Sequence, residues 1–153
     1  MLASYGSTTS LPVMTSRQGQ TAARAPSTGS RQTPPVVLVV EDDGDARGAI
    51  ADILEDAGYD VLVAANGREA LGRLAARAAH CDLILLDLLM PVMNGWDFRA
   101  KQRQTPEIAD IPVLLMSAGA QIALVRDELK AAGSMTKPVD ERDLLELVKR
   151  HLQ

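Results

Sequence analysis

Six positions in this chain carry side chains that could do chemistry together: the consecutive acids Glu41, Asp42 and Asp43, the aspartate Asp87, the hydroxyl of Ser117, and Lys137 followed by Pro138. Asp87 stands inside the apolar run LILLDLLMPVMNGWDF, where a charge is out of place unless something uses it. Adjacent carboxylates repel and raise each other's pKa unless a cation sits between them. A hard divalent ion resolves that conflict, and Mg2+ commonly takes one or two carboxylates and completes its octahedron with water and phosphate oxygens. A carboxylate can act as a nucleophile toward phosphorus, a lysine can pair with a phosphoryl oxygen, and a serine hydroxyl can donate to another. Metal and lysine would then share the charge of a transferring phosphoryl group.

These residues need a scaffold that brings them to one place. PVVLVV, from Pro35 to Val40, is a short β-branched run of the kind buried on both faces of a sheet. Ala46, Ala49, Ile50, Ile53, Leu54 and Ala57 recur at three- and four-residue steps and predict a helix that Gly58 stops. YDVLVA is a second strand, and Asn66 is placed to cap a helix with the inner face Ala70, Leu71, Leu74, Ala75 and Ala78. CDLILLD is a third strand. A helix from about Gly95 to Arg103, a strand IPVLLMS, a helix from about Gln121 to Ala132 and a very short strand near GSMT follow. Asp140 is placed to cap a last helix through Leu144, Leu145, Leu147 and Val148.

Strands alternating with helices predict an α/β fold, a doubly wound five-stranded parallel sheet covered on both faces. In such sheets ligands bind beyond the carboxyl ends of the strands. The acid triplet, Asp87, Ser117 and Lys137 each follow or end a strand, whereas the second strand offers only AANG and is read as lying at the edge.

Composition fits one domain with a real core: 153 residues, 46% hydrophobic and 24% charged. The lone Cys81 cannot form an internal disulfide and reads as a reduced cytosolic thiol. No apolar run approaches the roughly 18 residues that cross a bilayer, so a soluble, cytoplasmic protein that does not engage a membrane is expected. Residues 1–34 hold Arg17, Arg24 and Arg31 and no acid, which leaves the rest at about −7. That acidic body argues against nucleic-acid binding, which depends on basic side chains meeting phosphates. The Ser-, Thr-, Gln-, Gly- and Pro-rich stretch 1–34 is expected to be a disordered extension, with residues 35–153 as the folded domain. An organellar transit peptide and a translation start at Met14 are the other readings of that stretch.

The runs VLVVEDD, LILLDLLMPVMNGWDF, IPVLLMSA and MTKPV, in this order from Val36 to about His151, resemble the receiver domain of two-component response regulators. The likeness is specifically to single-domain, chemotaxis-regulator-like members. It implies the flavodoxin-like (βα)5 fold with strand order 2-1-3-4-5. It implies Asp87 as phosphoacceptor, Asp42 as direct Mg2+ ligand, Glu41 as the acid reaching the metal through water, and the backbone carbonyl of Leu89 as the remaining protein ligand. Ser117 takes the place of the switch hydroxyl, Ala118 of the small residue beside it, and Lys137 of the lysine, with Pro138 fitting the family's often cis Lys-Pro bond. The implied phosphodonor is a histidine kinase or a histidine phosphotransfer protein, and output would pass to a downstream protein partner. One departure stands out: Ser134 occupies the position, three before the lysine, where many receivers have an aromatic that turns inward on activation.

Plainer roles compete at several positions. Asp43 is read as a loop residue or helix cap in preference to a ligand, Asp45 and Asn94 as caps, and Asn94-Gly95 as a turn. Trp96 is read as packing against the sheet, and Met90, Met93 and Met135 as packing residues. His80 and His151 lie near helix ends and receive no metal or relay role. A buried Asp87 satisfied by Lys137 alone would leave Glu41 and Asp42 unexplained. An alternative function is a constitutive protein-binding module with a receiver fold that is never phosphorylated. A phosphohydrolase would need a second aspartate where Leu89 stands, and a dinucleotide enzyme would need a Gly-rich loop after the first strand.

Overall fold

A computed structural model of the chain describes residues 33–77 and 80–152, and the stretch from Pro34 onward forms one compact unit. Residues 1–32, most of the expected disordered extension, lie outside the described residues, as does Ala78. The described elements run β1 (Val36–Val40), α1 (Gly44–Asp56), β2 (Asp60–Ala64), α2 (Gly67–Arg77), β3 (Leu83–Asp87), α3 (Gly95–Arg103), β4 (Val113–Ser117), α4 (Ile122–Glu128), β5 (Gly133–Thr136) and α5 (Glu141–His151). The strands pair in parallel in the order β2-β1-β3-β4-β5, as the resemblance implies.

Every residue of β1, β3 and β4 is buried, because these central strands are covered on both faces. Their side chains alternate between two layers. Leu38, Val40, Ile84, Leu86, Val113 and Leu115 meet Ala70, Leu74 and Phe98 from α2 and α3. Val37, Val39, Leu83, Leu85, Leu114 and Met116 meet Ile50, Leu54, Leu144 and Val148 from α1 and α5. Register matters here, since a one-residue slip would exchange the layers and move every strand end. The edge strand β2 is only partly buried. No described helix is long and apolar enough to cross a membrane.

The local signals hold in most places. Asp43 caps α1 by accepting from the Asp45 and Ala46 amides, and Gly58 takes a left-handed φ of 100° where the chain leaves that helix. Asn66 accepts from Glu69 N–H at 2.9 Å while Glu69 accepts from Ala65 N–H at 3.0 Å, a reciprocal closure of the α2 entrance. Asn94 caps α3 through the Asp97 amide at 2.9 Å. Trp96 packs half-buried against the α2/α3 layer, Met90 and Met135 are buried, and Met93 packs alongside.

Four expectations are corrected. Asp45 is not a cap: it lies in the first turn of α1, whose orphan amides Asp43 already serves. Asp140 occupies the start of α5, but its side chain makes no capping hydrogen bond, and only its carbonyl accepts from Leu144. In α2, Ala75 is exposed rather than part of the inner face. The fourth helix ends at Glu128 instead of continuing to Ala132, because Lys130 turns to φ 54° and Ala131 N–H reaches back to Arg126 O at 2.9 Å. That reversal closes the helix and sends the chain into β5.

Candidate functional site

The carboxyl ends of β1, β3 and β4 and the residue after β5 bring Glu41, Asp42, Asp87, Ser117 and Lys137 to one edge of the sheet. Glu41 extends the β1 pairing by one residue, its amide donating to Ala64 O at 3.0 Å, which carries its side chain into the interior. The glutamate is fully buried. Asp43 N–H donates to Glu41 Oε2 at 3.1 Å, and Arg47 on α1 donates through Nη1 to the Glu41 carbonyl at 2.8 Å. The loop is thus held from both sides and leaves Asp42 exposed at the rim.

Asp87 closes β3 and is 4% exposed. Glu41, Asp42 and Asp87 each offer a carboxylate oxygen, and these oxygens all lie within 4.8 Å of one another. Lys137 reaches into this cluster, its Nζ 2.6 Å from Glu41 Oε1 and 3.1 Å from Asp87 Oδ2. Its own amide donates to Ser117 O at 2.9 Å, and the Lys137-Pro138 bond is cis, as the resemblance implies. Ser117 is buried at the end of β4, and its Oγ accepts from Gly119 N–H at 3.3 Å. Leu89 leaves its side chain exposed in the loop after β3, while its amide donates to Asp87 Oδ1 at 3.4 Å.

The electrostatics follow from burial and charge count. Burial, and next the charge of Glu41, push the Asp87 carboxyl up from 3.8 to about 6 against the pull of Lys137. Burial alone would lower the Lys137 ammonium, but its hydrogen bonds and charge contacts with Glu41 and Asp87 outweigh that and raise it, so it remains a cation. Three carboxylates against one ammonium leave the cluster short of positive charge. Two oxygens on opposite sides of Mg2+ stand about 4.2 Å apart, so a span of up to 4.8 Å suits an ion held directly by some of these acids and through water by another. The donor set is all oxygen, the preference of Mg2+.

Sequence reasoning missed three supports of this site. Arg47, five residues after Asp42, ties the acid loop to α1. The sequence marks Gly95 only as a turn residue, yet its amide donates to Leu88 O at 2.9 Å and an added Cβ would fall 2.9 Å from Asp87 O. Arg99 and Gln102 are buried polar residues on α3. Arg99 donates to Leu129 O at 3.0 Å, Lys130 O at 2.8 Å and Gln102 Oε1 at 2.7 Å, and Gln102 donates to Ile108 O and Ile111 O. Ser134 lies half-buried in β5, beside Leu115 of β4.

The comparisons with known proteins agree with this geometry. The response regulator receiver domain family matches residues 37–149. The chain is 34% identical over 124 residues to the DNA-binding dual master transcriptional regulator RpaA of Synechocystis sp., covering 78% of this chain and 49% of that protein. It is 33% identical over 117 residues to an uncharacterized 14.6 kDa protein in the sodA1 3' region of Leptolyngbya boryana, covering 75% and 88%. Among solved structures, the chemotaxis response regulator CheY4 of Vibrio cholerae superposes with a TM-score of 0.71 at 34% identity, covering 78% of this chain and 100% of that one. A putative response regulator from Chloroflexus aurantiacus gives a TM-score of 0.72 at 30% identity, covering 78% and 98%. The chain spans about half the length of the transcriptional regulators it matches. Sheet order, acid cluster and sequence match converge: this chain belongs to the response regulator receiver family.

Proposed function

We propose that Asp87 accepts a phosphoryl group from a histidine kinase or histidine phosphotransfer protein, in a receiver that spans residues 35–153. The observation that carries this reading is the placement of Lys137, whose ammonium is shared between Glu41 and Asp87 at a buried strand edge with Asp42 beside them. A structural ion pair would need one acid for one lysine. Here the surplus of carboxylate calls for a second cation and supports a site built for a phosphoryl group.

In the transfer, an Asp87 oxygen forms the new bond to phosphorus as the phosphorus-nitrogen bond of the donor phosphohistidine breaks. The electron pair of that bond stays on the imidazole nitrogen. Glu41, Asp42, Asp87 and the carbonyl of Leu89 would hold Mg2+, which supplies charge neutralisation for the transferring group when bound. Lys137, already 3.1 Å from Asp87 Oδ2, pairs with a phosphoryl oxygen after transfer. Ser117 stands at the end of the strand next to β3 and offers its hydroxyl to another phosphoryl oxygen. The modification then biases a two-state equilibrium in the surface that a protein partner reads.

The test is intact mass after incubation with Mg2+ and acetyl phosphate. A gain of about 80 Da is expected in the native chain, lost in Asp87→Asn and on chelating the metal. Label that persists in the Asn variant would move the acceptor elsewhere. A native chain that takes up nothing, yet binds its protein partner unchanged, would favour the constitutive binding module.

A further inference from the structure

Arg47 stands among acids and pairs with none of them. Glu41, Asp42, Asp43 and Asp45 are its near neighbours along the chain, yet it makes no ion pair among the described residues. Its guanidinium donates through Nη1 to the carbonyl oxygens of Glu41 at 2.8 Å and Asp42 at 3.4 Å. A carboxylate is ordinarily the better acceptor for this group, since its charge roughly doubles the strength of the bond. Here the main chain takes the donors, and the carboxylate oxygens of the acid triplet stay clear of them.

What those two carbonyls control is Asp42. They belong to the peptide units on either side of its Cα, and each unit is planar and stiff. Holding both carbonyls restrains the two torsions of Asp42, and with them the direction in which its Cβ leaves the chain. The second unit is also held at its other end, where Asp43 N–H donates to Glu41 Oε2 at 3.1 Å. The root of the arginine is fixed in turn by α1, its amide donating to Asp43 O at 2.8 Å. Glu41 and Asp87 need no such help, since both are buried and share the Lys137 ammonium. Asp42 is exposed, and no hydrogen bond or ion pair to a described residue holds its carboxylate.

We infer that Arg47 is a positioning residue for the metal: it sets the backbone of Asp42 so that this third carboxylate meets a divalent cation together with Glu41 and Asp87. The inference rests on the acid cluster holding Mg2+, and not on which residue accepts phosphate. Two effects of a guanidinium at this place have opposite signs. As a cation it opposes Mg2+, but at a solvated rim one charge shifts affinity by about fivefold at most. As a support for a ligand's geometry it favours Mg2+, and losing such a support typically costs about 10- to 100-fold. Positioning wins, so removing this positive charge weakens the binding of a cation.

The experiment follows thermal unfolding of the full chain and its Arg47→Gln and Arg47→Lys variants as Mg2+ is added, which gives a Kd for the metal with no phosphate present. Each Kd is referred to that variant's own metal-free Tm, so a weakened tie to α1 does not enter it. Lysine keeps the charge without the planar fork, whereas glutamine keeps a neutral donor without the charge. Arg47→Gln is expected to raise the Kd about tenfold, and Arg47→Lys by less. At saturating Mg2+, labelling by acetyl phosphate should return to the native rate in both, because the ion then holds Asp42 in place. Equal Kd values in the three chains overturn the positioning role. Tighter binding in Arg47→Gln, with Arg47→Lys at the native value, also overturns it, since Arg47 would then act through its charge. A labelling rate that stays low at saturating Mg2+ assigns Arg47 to the transfer and likewise overturns it. A native chain whose Tm ignores Mg2+ defeats the reading of the acid cluster as a metal site, and the inference with it. Failure of acetyl phosphate to label the native chain defeats only the reading of Asp87, and the thermal titration still decides the role of Arg47.

Discussion

The helices that follow β3 and β4 leave the same edge of the sheet, yet they are attached to it in opposite ways. Helix α3 buries Gly95, Phe98, Arg99 and Gln102 and is capped by Asn94. Helix α4 has seven residues, none of them buried, and Gln121 at its start makes no side-chain capping bond. Ile122, Val125 and Leu129 only lean on the core. Asp87 is therefore positioned by a unit with deep contacts, and the segment after Ser117 by one with few. A change of contacts at Ser117 can displace α4 without undoing the packing that places Asp87, because little buried surface has to be given up.

What α4 does have is a tie at its far end. Arg99 donates to Leu129 O and Lys130 O, so the well-packed helix holds the C-terminal turn of the loose one. Arg99→Ala should give the largest effect, a loss of about 2–4 kcal/mol, since two carbonyls and Gln102 Oε1 lose a charged donor. Hydrogen exchange should then rise at least tenfold over 122–131 while 95–103 stays protected. Arg99→Lys should recover only part, because an ammonium lacks the planar fork that spans these acceptors. Equal loosening of both helices would abolish the contrast and make them one cooperative unit.

Two glycines sharpen the same contrast. A Cβ on Gly95 would fall 2.8 Å from Leu88 Cα and 2.9 Å from Asp87 O, backbone atoms that cannot step aside alone. A Cβ on Gly119 meets nothing nearer than Ser117 Oγ at 3.7 Å. Gly95→Ala should cost about 1–3 kcal/mol in urea unfolding and slow labelling at Asp87, and Gly119→Ala should stay within about 0.5 kcal/mol. A tolerated alanine at 95 would mean that the α3 entrance is as yielding as that of α4.

The parts of this architecture that were legible in the sequence are those written in local pattern. Continuous β-branched and leucine runs announced β1, β3 and β4, and the residues ending them announced the site, since a parallel sheet leaves little choice about where strand ends meet. Even the four-residue β5 could be read from GSMT between a helix and Lys137. Features that depend on distant backbone acceptors were hidden. Arg99 and Gln102 carry side chains of the exposed type, and only the turns at 108, 111, 129 and 130 folding over α3 make them interior. The end of α4 is hidden because apolar spacing continues through Leu129 and Ala132, whereas Lys130, not a glycine, takes the left-handed turn. Asp140 has the right type for a cap, but nothing in its own residue type announces whether the side chain turns toward the helix amides.

A smaller effect than those at Arg99 and Gly95 is expected from what titrates at the acid-bearing edge. Burial, then Glu41, raise Asp87 to about 6 from 3.8, so between those values the folded metal-free chain keeps a proton that the unfolded chain has released. Stability then falls as pH rises from about 4 to about 6 and is flat in this respect above it, because protons favour the state that binds them. The drop should be of order 1 kcal/mol, less than the full shift implies, since water at the exposed Asp42 and partly exposed Lys137 screens the cluster. Urea unfolding in chelator at pH 4.5 and pH 7 measures it, with Asp87→Asn as reference because the amide cannot titrate. Mg2+ held by the ionised carboxylate would reverse the sign, and the stability it adds should grow as pH rises through about 6. A native chain whose pH dependence matches that of Asp87→Asn, with and without Mg2+, would mean that Asp87 is already ionised at pH 4.5. In that case Lys137, not a metal, would be answering the charge of the acid-bearing edge.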